Sequence, residues 1–139
     1  MTETTTALGM TVHLQTDYET ARQRTIDALK AEGFGVLTEI DVKATMKQKL
    51  DVDFRPYTIL GACNPPLALR ALTAAPEVGL LLPCNVTVAA VDGGGVLVSA
   101  INPLQMLGII ANAELELVAI EAQTRLRRAM DRLEANESE

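Results

Sequence analysis

The segment from Asn85 to Ile101 constrains the fold of this chain more than any other. Two runs rich in valine and alanine, residues 85–91 and 96–101, flank the sequence Asp92-Gly93-Gly94-Gly95. Two such runs joined by a short glycine-containing loop are typical of a β-hairpin. A glycine-rich loop that cradles phosphate would lead into a helix N-terminus, whereas here a strand follows. We therefore interpret the loop as a turn and expect an antiparallel sheet.

Other segments also have the features of strands. Apolar and polar residues alternate over residues 7–15, 35–42 and 56–63, which predicts three further strands. A shorter apolar run from Val78 to Leu82 stops at Pro83 and is interpreted as a short strand that leads to the hairpin. Residues 51–55 include Asp51, Asp53 and Arg55 and are interpreted as a solvated connection.

Helices are predicted between these strands from the residues that cap them. Asp17 precedes the first helix, and Gly33 follows it in the position of a left-handed C-terminal residue. Asn64 precedes a second helix whose first position is Pro65, where the missing N–H costs nothing. Residues 43–50 are predicted to form a short helix between the two.

The last helix is predicted to follow Asn112, because apolar residues then recur at every third or fourth position. These residues are Leu115, Val118, Ala122, Leu126, Ala129 and Leu133. Such a stripe is more often packed against a sheet than bound to a partner. Residues 134–139 are predicted to fray. Helices combined with a hairpin predict an α+β fold, in which helices cover one face of an at least partly antiparallel sheet.

The composition excludes several classes of protein. A length of 139 residues fits one domain, and 3% aromatic residues imply an aliphatic core. The net charge of −6 argues against a nucleic-acid partner, because no basic stripe is present to displace counterions. No apolar run reaches the roughly 18 residues of a membrane span. The polar N-terminus does not resemble a secretory signal, so we expect a cytoplasmic protein with reduced thiols.

The two cysteines are the most reactive groups in the chain. Cys63 and Cys84 are each followed by asparagine, and each lies beside or near proline. One helix and one short strand are predicted to separate them, so the chain can return beside the strand that it left. The helix N-terminus after Cys63 is expected to offer free N–H groups and to favour a thiolate there. Free cysteine is also among the most buried residue types, so both thiols could simply fill the core.

A metal or haem site is the first of three functional interpretations. Cys63 and Cys84 would supply soft ligands, but a structural zinc site normally needs four. His13, the one histidine, lies in the first predicted strand and could be a third ligand. Alternatively, a dimer could supply four sulfur atoms if the site lay on the symmetry axis.

Two interpretations do not need a metal. In the first, one thiolate attacks and the other resolves, as in redox or sulfur-transfer chemistry, although no CxxC motif and no second histidine are present. In the second, the protein binds a small apolar or anionic ligand, or pairs with itself, through an uncovered sheet face. The aliphatic segment 104–111 would then cover the core or form a dimer contact.

The sequence around both cysteines resembles a known family, domain-of-unknown-function family 302. The similar stretches are 57–65, Ala68, Leu72, 76–86, Asn102-Pro103 and Met106, within a region of about residues 8–133. The resemblance implies a curved, mainly antiparallel sheet like that of the TATA-binding-protein fold. Its element order would be strand, helix, four strands and helix, with extra short helices. The resemblance also implies a homodimer, and it implies no reaction.

We therefore predict one α+β domain over residues 1–139 that forms a homodimer. Its predicted site is a pocket or surface formed by Cys63, Asn64, Pro83, Cys84 and Asn85. Binding of a small molecule or of a soft metal or haem is favoured over catalysis, with Cys63 and Cys84 as metal ligands. Neither a cofactor nor an enzymatic activity is assigned by the sequence.

Overall fold

A computed structural model describes residues 3–6 and 8–137 of the chain. Within them, one open, curved sheet contains five strands of six or seven residues and a three-residue strand at its edge. The strands are β1 (Glu3–Thr5), β2 (Gly9–Leu14), β3 (Gly35–Asp41), β4 (Tyr57–Cys63), β5 (Cys84–Ala90) and β6 (Val96–Ile101). Their order is β1-β2-β6-β5-β4-β3, and every neighbouring pair is antiparallel.

Five α-helices and one 3₁₀ helix accompany the sheet in the described residues. They are α1 (Tyr18–Ala31), α2 (Val42–Leu50), α3 (Pro65–Ala74), the 3₁₀ helix (Pro76–Leu81), α4 (Pro103–Leu107) and α5 (Ala113–Glu137). The order strand, helix, four strands and helix, with extra short helices, is therefore confirmed. No helix in the described part of the chain is both long enough and apolar enough to cross a membrane.

Asparagine and aspartate side chains begin the main helices, as predicted. Thr20 N–H donates to Asp17 Oδ1 at 2.8 Å at the start of α1. Leu115 N–H donates to Asn112 Oδ1 at 3.1 Å at the start of α5. Gly33 follows α1 with a φ of +86°, a conformation that favours glycine. These local signals fix where the helices begin and end.

The apolar core has two parts that share α5. The first part lies between one face of the sheet, α1 and the C-terminal half of α5. The second part lies between α3, the 3₁₀ helix, α4 and the N-terminal half of α5. All six residues of the predicted apolar stripe on α5 are buried, which confirms that this face packs inside the protein. A cleft lies at the boundary between the two parts.

Two predicted elements differ in the structure. The segment 78–82 is not a strand, because it lies in the 3₁₀ helix and a following turn, where Val78 N–H donates to Ala75 O and Leu82 N–H to Gly79 O. Only Val78 is buried in that helix, so no strand-like alternation exists. Residues 134–137 do not fray but extend α5. Ala7, at the start of the first predicted strand, and residues 138 and 139 lie outside the described residues.

Candidate functional site

The β4–β5 ladder brings the two cysteines into one neighbourhood. Ala62 pairs with Cys84 and Gly61 pairs with Asn85, so Cys63 is the residue next to the partner of Cys84 at the end of β4. α3 and the 3₁₀ helix fill the connection between the strands. The return of the chain to the strand that it left is therefore as predicted, although a 3₁₀ helix takes the place of the short strand.

Both cysteines border a cleft of about 280 Å³. The cleft lies between the two parts of the core, with β4 and β5 on one side and α3 and α5 on the other. Its walls are formed by Phe34, Leu37, Ala62, Cys63, Asn64, Leu67, Ala68, Ala71, Leu72, Gly79, Leu82, Pro83, Cys84, Leu107, Val118 and Ala122. Apart from the two thiols, only Asn64 contributes a polar side chain.

Asn64 is fixed in the wall of the cleft by its role as the N-cap of α3. Its Oδ1 accepts a hydrogen bond from Leu67 N–H at 3.2 Å, and the residue is 8% exposed. Its amide nitrogen Nδ2 donates to no acceptor among the described residues. A buried donor without a partner is costly unless a ligand or water satisfies it.

The N-terminus of α3 does not favour a thiolate, so that prediction for Cys63 is wrong. Pro65 and Pro66 occupy the first two helical positions and have no N–H groups. The next donor, Leu67 N–H, binds Asn64 Oδ1, and Ala68 N–H binds Asn64 O at 2.9 Å. The first turn therefore has no free backbone donor for a sulfur anion.

The thiols themselves are held in the neutral form. Burial raises the pKa of the Cys63 thiol above its ordinary value. Burial, and to a smaller extent repulsion from Cys63, raises the pKa of the Cys84 thiol to about 11. At pH 7 a thiol with such a pKa is ionised in about one molecule in 10,000. Neither sulfur is activated as a nucleophile or as a metal ligand.

His13 is far from the cysteines in the sheet, so it cannot be their third metal ligand. It lies on β2, which is separated from β4 by β6 and β5. Its ring hydrogen-bonds Gly94 O at 3.2 Å, in the hairpin turn. Among the described residues, no three histidine, cysteine, aspartate or glutamate side chains lie together as a metal site would require.

The predicted site residues do not all meet. Cys63, Asn64, Pro83 and Cys84 line the cleft, whereas Asn85 does not. Asn85 is exposed on β5, between the buried Cys84 and Val86, so it points to the opposite face of the sheet.

Pro83 packs closely against β4 because the residue beneath it, Gly61, has no side chain. A Cβ atom on Gly61 would lie 2.8 Å from Pro83 Cγ and would also collide with the Thr38 hydroxyl. Glycine at this position therefore lets Pro83 and β3 approach β4 closely.

Sequence reasoning missed most of the cleft wall. Leu67 and Ala71 on α3, Val118 and Ala122 on α5, and Phe34 before β3 are apolar residues that the sequence patterns assign simply to the core. A cleft between two parts of a core cannot be recognised from a hydrophobic pattern, because its wall residues have the same spacing as those of any buried helix or strand face. The wall positions that the sequence did single out are the two cysteines, the cap Asn64 and the chain breaker Pro83.

A group of charged side chains lies beside one end of the cleft, near Gly33. Glu32 is buried between Arg128 and Arg132, whose Nε atoms donate to its two carboxylate oxygens at 2.8 and 3.0 Å. Arg125 binds Glu121 at 2.7 Å, and its Nη1 donates to Glu32 O at 3.4 Å. Three arginines therefore face two glutamates here, although the whole chain has a net charge of −6.

Known proteins similar to this chain support its fold and assign no activity. The family model described as "Domain of unknown function DUF302" matches residues 10–133. The crystal structure of an uncharacterized conserved DUF302 protein from Bacillus stearothermophilus is 32% identical in sequence, with a TM-score of 0.80. The alignment covers 88% of this chain and 94% of that one. No curated protein matches the chain.

Proposed function

This chain belongs to the DUF302 family, and we propose that it binds a small, largely apolar molecule in the cleft bordered by Cys63 and Cys84. The observation that carries the proposal is the composition of the cleft wall. Sixteen residues line it, and Asn64 is the one among them with a nitrogen or oxygen atom in its side chain. Small-molecule sites are typically concave, mostly apolar and equipped with a few fixed polar groups.

Ligand binding fits the cleft better than thiol chemistry does. A nucleophilic cysteine needs a depressed pKa or a neighbouring base. Here burial raises the pKa of both thiols, and no histidine, aspartate or glutamate lines the cleft. In this proposal the thiols act as small, polarisable apolar groups that contact the ligand.

Metal or haem binding is also less well supported than apolar binding. A soft metal would have to displace two protons from thiols whose pKa is raised, and the described residues provide no third ligand nearby. Such a site would need sulfur atoms from a second copy of the chain.

The proposal is tested with the neutral dye N-phenyl-1-naphthylamine, whose fluorescence rises in apolar surroundings. We expect the dye to bind the protein, and we expect Ala68→Leu to weaken binding about tenfold or more by filling the cleft. The matched control is Thr73→Leu, which adds a leucine to an exposed position of α3 outside the cleft wall. Equal dye binding by both variants would place the dye elsewhere and contradict the proposal.

We also propose that the protein forms a homodimer through the apolar rim of the cleft. Leu37 and Leu72 line the cleft and are 68% and 41% exposed, and Leu80, beside Gly79, is 85% exposed. Large aliphatic side chains gathered in one exposed region favour association. Sedimentation at micromolar concentrations should show a dimer that Leu80→Lys weakens. A monomer at all these concentrations would reject the proposal.

A further inference from the structure

We propose that the ligand of this cleft is an aliphatic carboxylate, whose chain lies in the cleft and whose carboxylate is bound by Asn64 and Arg125 beside Gly33. This inference rests on the proposed function, because it names the chemical class of the molecule bound there. The polar atoms that support it are Asn64 Nδ2 and Arg125 Nη1, next to Gly33.

The two donors are arranged around one glycine. A Cβ atom on Gly33 would lie 2.9 Å from Asn64 Nδ2 and 3.5 Å from Arg125 Nη1. The amide therefore packs directly over Gly33, where a side chain would collide with it, and both nitrogen atoms lie within 3.5 Å of one point, which places the two donors close together. Gly33 precedes Phe34, which lines the cleft, and Arg125 follows Ala122, another wall residue, by one turn of α5.

The amide of Asn64 is positioned by the fold and has a donor to spare. Its Oδ1 is committed to Leu67 N–H, which fixes the orientation of the side chain and directs Nδ2 away from the helix. The residue is more than nine-tenths buried, and Nδ2 donates to no described residue. An acceptor on a ligand would satisfy this donor.

Arg125 supplies the positive charge. Its Nε is held by Glu121, while Nη1 makes one long hydrogen bond of 3.4 Å to the carbonyl of Glu32. A carboxylate accepts two or more hydrogen bonds, and a planar guanidinium group matches its geometry. The C-terminus of α1 carries a partial negative charge, but the neighbouring group of three arginines and two glutamates has a net charge of +1 (3 − 2) and favours an anion.

A carboxylate fits these donors better than the other small anions. A phosphate has more oxygen atoms and a higher charge, and it is normally bound by several cations or backbone N–H groups. Here one amide and one guanidinium, the latter paired with Glu121, lie close together beside Gly33. The apolar wall of the cleft requires the rest of the ligand to be a hydrocarbon.

The test compares decanoate with decanol as competitors of N-phenyl-1-naphthylamine at pH 7.5, where decanoate is ionised. We expect decanoate to bind about tenfold more tightly than decanol, as one charge-assisted hydrogen bond would provide. Arg125→Gln should remove this preference, so that decanoate binds no more tightly than decanol. Arg70→Gln is the matched control, because Arg70 is paired with Glu114 and lies outside the cleft wall.

Asn64→Asp tests the second donor without removing the cap of α3. An aspartate keeps the oxygen that accepts from Leu67 N–H but replaces the spare amide by negative charge. It should weaken decanoate about tenfold or more and weaken decanol less. If decanol and decanoate compete equally in the parent protein, the carboxylate site is refuted while the apolar cleft stands. If the dye itself does not bind the parent protein, the proposed function and the carboxylate site both fail.

Discussion

Cys84 lies opposite Ala62 in the β4–β5 ladder, and Cys63 is the next residue along at the end of β4. The proximity arises from backbone pairing and needs no bond between the sulfur atoms, which are free. Both side chains border an apolar cleft, and burial raises the pKa of both. The arrangement therefore provides two neutral thiols rather than a reactive pair.

The first prediction concerns the reaction of the thiols with iodoacetamide. Because alkylation requires the thiolate, the rate at pH 7 should be below that of a free cysteine and should rise about tenfold per pH unit up to pH 9. Cys63, which is half-buried, should react before Cys84, which is 7% exposed. Peptide mass spectrometry at each pH measures both rates. A rate for Cys63 that stops rising below pH 8 would show a depressed pKa and would restore the nucleophilic interpretation.

The second prediction concerns the cap of α3. Asn64→Ala should lower the free energy of unfolding by about 1 kcal/mol, because Leu67 N–H loses its acceptor. Asn64→Ser keeps a capping oxygen in that position without adding a charge and should cost less than the alanine variant. Urea denaturation of the two variants and the parent measures the difference. Equal stability of the alanine variant and the parent would mean that the cap is not what holds Asn64 in the cleft wall.

Local sequence signals predict much of this fold because each acts within a few residues. The aspartate and asparagine caps, the glycine after α1 and the stripe on α5 all have the positions that their chemistry requires. The hairpin of β5 and β6 likewise follows from its turn. The exception is the 3₁₀ helix, where a short apolar run has too few residues to distinguish a strand from a turn of helix.

The candidate site is only partly predictable, because its parts come from distant segments. The sequence predicts that Cys63 and Cys84 can meet, because the connection between their strands is long enough for the chain to return beside the strand that it left. The lack of free donors at the start of α3 follows from Pro65 and Pro66 in the sequence, whereas nothing in the sequence indicates that Arg125 approaches Gly33, 92 residues earlier. That contact depends on how α5 crosses the sheet. Asn85 is excluded from the cleft by the alternation of β5, which depends on the register of the ladder.

The third prediction concerns the pH dependence of stability through Glu32. The hydrogen bond from Arg128 lowers the pKa of the Glu32 carboxyl below its ordinary value of 4.5. Desolvation opposes this shift, and the hydrogen bond from Arg132 adds to it. A depressed pKa stabilises the folded state above the unfolded-state pKa, and this contribution is lost as the pH falls through the folded-state value. Glu32→Gln should therefore cost about 2 kcal/mol at pH 7, and its cost should shrink below pH 4.5.

Urea denaturation of the parent and Glu32→Gln between pH 3 and pH 7 would measure this difference. The control is Glu19→Gln, because Glu19 is exposed and pairs with Arg22 on the surface of α1. That change should cost less than about 1 kcal/mol at any pH. A constant difference between Glu32→Gln and the parent down to pH 3 would contradict the depressed pKa.

The last prediction concerns the glycine under Pro83. In Gly61→Ala the new methyl group would meet Pro83 Cγ at 2.8 Å and the Thr38 hydroxyl, so either β3 or the cleft wall must move. We expect the free energy of unfolding to fall by about 1–3 kcal/mol, as overpacking usually costs. Dye binding should weaken with it, because Pro83 lines the cleft. Gly35→Ala is the matched control, since a Cβ atom there meets nothing within 4 Å and should leave both measurements nearly unchanged. Equal stability and dye affinity of the two alanine variants would show that close packing of Pro83 on β4 does not shape the cleft.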